Sequence, residues 1–197
     1  MRRIKHLLPV FIILLAVFAA AYPALAEDEG LLVLPKNMQV IKSEAFKGAT
    51  GFERVVITEG AHTIESNAFA GSSLQQIQLP VSMAKVADDA FGELRPLIIA
   101  VENTHAYGWA NGLGLPVMGC TVNTEENRAT ITSYNGTLST LWLPEEVMGC
   151  PVTAIADNVF QGNTALRTVI LPESLASIGQ RLSGIAAISA TSYSTTV

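Results

Sequence analysis

The sequence predicts a solenoid, in which short β-strands from successive repeats stack into a parallel sheet along one side. Two observations support this fold class. The dipeptide Ala-Phe recurs with its rings at Phe46, Phe69 and Phe91, which are 23 and then 22 residues apart. Similar apolar and proline positions surround each copy. A period of this length is typical of solenoids, because one repeat cannot bury its own apolar face.

Each repeat carries the same local signals in the same order. Ile77 and Leu79 alternate with polar residues, as in a strand that buries one face. Pro80 has no N–H to donate, so it ends the pairing. A second short apolar segment follows at 85–86, and the Ala-Phe pair at 90–91 then supplies one small and one large core residue. We therefore expect two short strands and one buried ring in every repeat, with the rings of Phe46, Phe69, Phe91 and Phe160 in one stack.

Two later segments repeat the pattern, at 143–162 and from Leu171 to Gly179. Together the copies resemble the BspA-like, or Treponema-type, leucine-rich repeat, whose pattern runs L-x-x-I-x-[IL]-P-x-x-[VL]-x-x-I-x-x-x-A-F-x-G. One departure is visible, because the family often has cysteine after the last glycine of the repeat. This chain has Ala49, Ser72 and Asn163 there. The resemblance implies a leucine-rich repeat solenoid and a secreted or cell-surface protein, since several members of the family are adhesins.

The first 26 residues have the three parts of a secretory signal peptide. Arg2, Arg3 and Lys5 form a positive start, and an apolar run follows from Leu7 to Ala21. Residues 24–26, Ala-Leu-Ala, provide a cleavage site. The alternative of a membrane anchor is disfavoured, because the run is shorter than the roughly 20 residues of a spanning helix. We expect cleavage after this segment and a secreted or cell-surface location, with no membrane insertion afterwards.

Charge narrows the choice of partner. The whole chain has 12 basic and 17 acidic residues, and the signal segment contains three of the basic ones and no acidic one. The mature chain therefore has a net charge of −8, which argues against nucleic acid or an anionic membrane as partner. The expected export and the family resemblance, and not the charge, point to an extracellular protein or glycan as the partner.

The repeats fall into two arrays. The first, 27–112, ends in a predicted cap helix in which Thr104 caps the start and Asn111-Gly112 ends the element. The second, 113–183, opens with a β-meander around the turn at 125–127. Asn135-Gly136 predicts a hairpin turn within that meander.

The second array ends without its Ala-Phe pair, and 184–197 is an irregular tail rich in Ser, Thr and Ala. A solenoid without a terminal cap leaves its core open. We expect either a truncated member of the family with a frayed tail, or a tail that folds over the open end.

Catalytic and metal chemistry have little support in the sequence. His62 and His105 have no nucleophile nearby in sequence, and together with Cys120 and Cys150 they lack the spacing of a zinc site. The carboxylate pair Asp88-Asp89 has no EF-hand spacing. We therefore predict no enzyme activity, no metal and no cofactor.

The two cysteines occupy the same tetrapeptide, Val-Met-Gly-Cys, at 117–120 and 147–150. Because each lies at a matching point of the second array, we expect them to be close in space. Export permits a disulfide between Cys120 and Cys150; two free, buried thiols are the alternative.

The outward residues of the main strands are the candidate binding surface. Two columns follow from aligning the repeats: Val33, Val56, Gln78, Ala100, Trp142 and Ile170, and beside them Arg54, Gln76, Ile98, Thr140 and Thr168. Exposed strand positions favour β-branched and aromatic residues in any case. Trp142 is the strongest candidate, because tryptophan is enriched at binding hot spots. We therefore predict a macromolecule-binding or adhesin-like module; the alternatives are a structural spacer and, less favoured, an enzyme.

Overall fold

A computed structural model describes residues 30–180 and the backbone of residues 187–190. The main strands of the first array pair in parallel, each with the next: β1 (Leu31–Leu34), β3 (Arg54–Ile57), β5 (Gln76–Gln78) and β7 (Leu97–Val101). Three shorter strands form a second parallel sheet: β2 (Val40–Ile41), β4 (Thr63–Ile64) and β6 (Lys85–Val86). The repeat pattern thus folds into the solenoid that the sequence predicts.

A column of aromatic rings runs through the first core. Phe46 and Phe69 are stacked with centroids 5.0 Å apart, and Phe69 lies 5.8 Å from Phe91. The prediction of one stack was wrong for Phe160, which is buried in a second core, 5.6 Å from Tyr134. The reason is that the second array builds its own core.

The helix α1 (His105–Gly112) closes the end of the first core, as predicted. Thr104 caps it by accepting a hydrogen bond from the backbone N–H of Tyr107. Ala106 and Ala110 are fully buried on one face. On the same side, Trp109 continues the aromatic column, with its ring 6.1 Å from Phe91.

The two arrays are joined by one continuous sheet. The antiparallel hairpin β8 (Val117–Asn123) and β9 (Arg128–Tyr134) continues the first sheet beyond β7. Strand β9 then pairs in parallel with β12 (Cys150–Ile155), and β12 pairs with β14 (Ser177–Ile178). The sheet of β1, β3, β5 and β7 therefore continues into the second array through β12 and β14, which correspond to the short strands β2, β4 and β6 of the first array.

The main sheet of the second array is separate and consists of β10 (Thr140–Trp142), β13 (Thr168–Leu171) and β15 (Ala187–Ala190). The predicted hairpin turn at Asn135-Gly136 is wrong, because β9 and β10 belong to different sheets. Asn135 instead fixes the start of β8: its Oδ1 accepts from the Val117 N–H at 2.5 Å, and its N–H donates to the Val117 carbonyl at 3.1 Å.

The tail also departs from expectation. The sequence predicts an irregular segment over 184–197, yet β15 pairs with β13 in parallel along its whole length. Pairing needs only backbone N–H and C=O groups, and β13 offers a free strand edge to this segment. The remaining tail residues, like the predicted signal segment 1–26, lie outside the described part of the chain.

Strand β7 is buried on both faces. Ile98 and Ala100 belong to the first core, whereas Leu97 and Ile99 belong to the second. The sequence alignment placed β7 one residue out of register and assigned Ile98 and Ala100 to the outer face. A strand covered on both sides has no alternation of polar and apolar residues to set its register.

Side chains of neighbouring residues lie very close to the backbone of Gly119 on β8. A Cβ at this position would lie 2.9 Å from Glu102 Oε1 and closer still to Ser133 Oγ. Because the site is buried and in a strand, we expect Gly119→Ala to lower the free energy of unfolding by about 1–3 kcal/mol, measured by urea denaturation. Adding Ser133→Ala should recover part of the loss.

Gly108 is the matched control, since it lies within α1 with no atom within 4 Å of the added Cβ. Gly108→Ala should raise stability by about 0.5–1 kcal/mol, because alanine is the better helix former. Equal destabilisation by both substitutions would contradict the steric explanation for Gly119.

Candidate binding surface

The outer face of the first sheet meets the second array at strand β10. Arg54 neighbours Leu31 on one side and Gln76 on the other, and Val56 likewise neighbours Val33 and Gln78. In the second array Thr140 pairs with Thr168, and Trp142 with Ile170. We call eight half-buried or exposed residues of this face the junction surface: Leu31, Val33, Arg54, Val56, Thr140, Trp142, Thr168 and Ile170.

Trp142 links the two halves of the junction surface. It lies between the buried Leu141 and Leu143, so its side chain points away from the second core, as the alternation predicts. The Arg54 guanidinium carbon lies 4.7 Å from its ring centroid, within the range of a cation–π interaction. The ring is therefore half-buried against the first array and is not free on all sides.

Gln76 binds the free edge of β10 with its side chain. Its Nε2 donates to the Trp142 carbonyl at 3.0 Å, and its Oε1 accepts from the Trp142 N–H at 3.3 Å. The amide thus makes the two bonds that a neighbouring strand would make. Gln78 adds a third bond, from its Nε2 to the Glu146 carbonyl at 3.0 Å.

Three predicted site residues are not free on the outer face. Gln76 points outward but is buried under β10, with only 3% of its surface exposed, so it cannot meet a partner directly. Gln78 is half-buried at the same joint. Ile98 is in the first core because of the register shift of β7. The sequence Gln-Ile-Gln at 76–78 is a signal that two polar side chains share one face of a mostly apolar sheet. The repeat alignment alone did not indicate that the second array covers this face.

The disulfide considered from the sequence is not formed: Cys120 and Cys150 are free and buried. Cys120 lies opposite Ile131, which pairs with Ile155 at the far end of β12. Cys150 begins β12, about 16 Å away along the strand, whereas bridged Cα atoms lie within about 7 Å. The expectation of proximity was wrong, because the two tetrapeptides occupy different sheet positions.

Both thiols should resist modification until the protein unfolds. Burial, with a smaller effect of the nearby Glu102 carboxylate, raises the pKa of the Cys120 thiol to about 12, so the reactive thiolate is scarce at neutral pH. We expect slow reaction with a thiol reagent in the native state and two equivalents in denaturant without a reductant. A single fast-reacting native thiol would contradict this burial.

The residues considered for metal or catalytic chemistry have structural contacts instead. Asp88 accepts a hydrogen bond from Trp109 Nε1 at 3.2 Å, and Asp89 accepts from the Ser66 hydroxyl at 2.6 Å. His62 and His105 are exposed. Within residues 30–180 no group of three or more His, Cys, Asp or Glu side chains is placed to hold a metal ion. No helix in that part of the chain is long and apolar enough to cross a membrane.

The stacked strands, the repeated Ala-Phe core and the helical cap define a leucine-rich repeat solenoid. A family model for the BspA type leucine-rich repeat region matches residues 31–104 and 133–191, with six copies, and the chain belongs to this family. No curated protein and no solved structure gave a match. Repeats of this type suggest protein binding, and the solenoid is typically a scaffold without catalytic activity.

Proposed function

We propose that the protein is exported and binds an extracellular protein or glycan through the junction surface. The observation that carries this proposal is the apolar part of that surface on β1, where Val33 is 54% and Leu31 38% exposed. Both neighbour β3 residues of the same face, and Arg54 connects them to Trp142. Apolar side chains grouped on one exposed face are typical of interaction sites.

The geometry of the solenoid supports the same choice. Stacking creates one extended face from many repeats, and repeat proteins use such faces for binding. Thr140, Trp142, Thr168 and Ile170 are all half-buried on the sheet of β10 and β13. They form an apolar patch with a polar edge, and Arg54, the neighbour of Leu31, contacts its Trp142 ring. The acidic mature chain favours protein or glycan over nucleic acid.

A structural spacer is the second candidate, and one observation favours it. Gln76 occupies the edge of β10, and Gln78 binds the Glu146 carbonyl a few residues further along the chain. Contacts that fix the two arrays to each other are what a rigid spacer needs, and they leave less of the face open.

The test replaces Trp142 and Ile170 separately by alanine and measures binding to arrays of extracellular proteins and glycans. We expect each extracellular protein or glycan that binds the wild type to bind Trp142→Ala about thirtyfold more weakly, the usual loss for a hot-spot residue. The variant should fold, with about 1 kcal/mol lost through the Arg54 contact.

Val40→Ala is the matched control, because Val40 is a half-buried strand residue of the opposite sheet. It should bind like the wild type. Binding that is equal in all three variants would exclude the junction surface and favour the spacer.

Export is tested on the cell that makes the protein. We expect the extracellular or surface-exposed protein to begin at Glu27 when its N-terminus is sequenced. Recovery of the full chain inside the cell, with residues 1–26 still attached, would contradict the proposal of export.

A further inference from the structure

The hairpin that connects β11 (Glu146–Val147) with β12 has an unusual tip. Val147 pairs directly with Cys150, which leaves Met148 and Gly149 as a two-residue turn. Both have positive φ, 57° and 74°, as in a type I′ turn. Such turns favour Asn-Gly, because side chains other than those of Gly, Asn and Asp tolerate positive φ poorly.

Met148 is an exception among the residues with this backbone. The other non-glycine residues with positive φ in the described chain are polar: Glu44, Asn67, Asn103, Asn127 and Asn158. Met148 is also 40% exposed, although methionine is usually buried. Met148 therefore has a backbone conformation and a degree of exposure that are both unusual for methionine. Strain of this kind collects at functional sites.

The segment that leads into the tip is acidic. Glu145 and Glu146 precede the turn, and Glu145 Oε2 accepts from the backbone N–H of Glu173 at 3.2 Å. No lysine or arginine occurs between Arg128 and Arg167. The base of the hairpin is fixed, since Gln78 holds the Glu146 carbonyl.

We propose that Met148 is a binding anchor that packs against an apolar segment, flanked by lysine or arginine, of a partner protein. This inference rests on the proposed function and specifies its partner class. The thioether is a weak hydrogen-bond acceptor at best, so a glycan gains little from it, whereas a flexible, polarisable side chain packs against apolar protein segments of varied shape. The carboxylates that precede it complement the basic flanking residues and repel phosphate.

The experiment uses Met148→Asn, which gives the turn its preferred Asn-Gly sequence. A display library of random dodecapeptides is selected on the wild-type protein, and the enriched peptides are synthesised. We expect them to combine apolar with lysine or arginine residues and to bind Met148→Asn about thirtyfold more weakly. The same variant should melt about 2 °C higher, because the turn strain is relieved.

Met148→Leu is the control, since it keeps an apolar anchor, and it should retain peptide binding within about threefold. Equal binding by Met148→Asn, a lower melting temperature for it, or the absence of enriched basic and apolar peptides would each overturn the proposal. Peptides that lose binding with Trp142→Ala but not with Met148→Asn would keep the junction surface and remove only this anchor.

Discussion

Phe69→Ala is expected to lower the free energy of unfolding by about 3–5 kcal/mol, the usual cost of removing a large buried ring. Phe69 has no exposed surface and lies in the middle of the aromatic column, between Phe46 at 5.0 Å and Phe91 at 5.8 Å. The cavity would remove contacts with the repeats on both sides. Urea denaturation followed by far-UV circular dichroism measures the change.

The control is Phe69→Leu, which keeps most of the side-chain volume and should cost clearly less than the alanine variant. A second measurement reports on the first array alone. The fluorescence of Trp109, which lies at the end of the same column, should change at a lower urea concentration in Phe69→Ala than in the wild type. A loss below about 1 kcal/mol for the alanine variant would mean that the column does not hold the repeats together.

The elements that the sequence predicted correctly depend on local signals. The buried rings follow from the Ala-Phe pairs, and the cap helix follows from Thr104 and the two alanines that face the core. Each of these signals acts over a few neighbouring residues, and the Ala-Phe pair also recurs from one repeat to the next. A repeated local pattern can therefore be aligned and read without knowing the tertiary structure.

The joint between the arrays could not be predicted in the same way. Leu97 and Ile98 are both fully buried, and only the second core, which forms from residues after Val117, decides which face each one occupies. The two Val-Met-Gly-Cys segments illustrate the same limit: Met118 is fully buried in β8, whereas Met148 is exposed at a turn. The same four residues therefore adopt different secondary structure and burial, because the long-range packing around them differs.

The candidate surface was predicted only in part, for a related reason. Alternation along β10 correctly placed Trp142 between two buried leucines. It gave no indication that Arg54 would stack on the ring, or that a glutamine 66 residues earlier in the chain would bind the Trp142 backbone. A side chain that binds the edge of a distant strand does so once, so the contact produces no periodic pattern that the sequence could show.

Gln76→Ala is expected to lower the free energy of unfolding by about 2–4 kcal/mol, because it leaves both the N–H and the carbonyl of Trp142 without their partner in a partly buried joint. Gln76 is 3% exposed and makes both bonds itself. Gln76→Glu should cost at least as much. A carboxylate can accept from the Trp142 N–H but cannot donate to the carbonyl, and its charge would be buried. Urea denaturation measures both variants.

Gln75→Ala is the matched control, since Gln75 is the exposed neighbour of Gln76, and it should change stability by less than about 0.5 kcal/mol. Hydrogen exchange locates the effect: the backbone amide of Trp142 should lose protection in Gln76→Ala, while the amides of β2 and β4, in the opposite sheet, keep theirs. Unchanged protection of Trp142 would show that β10 is held without the glutamine. Loss of protection throughout the chain would mean that Gln76 supports the whole fold, because a defect confined to the joint should open only the strand whose edge this amide completes.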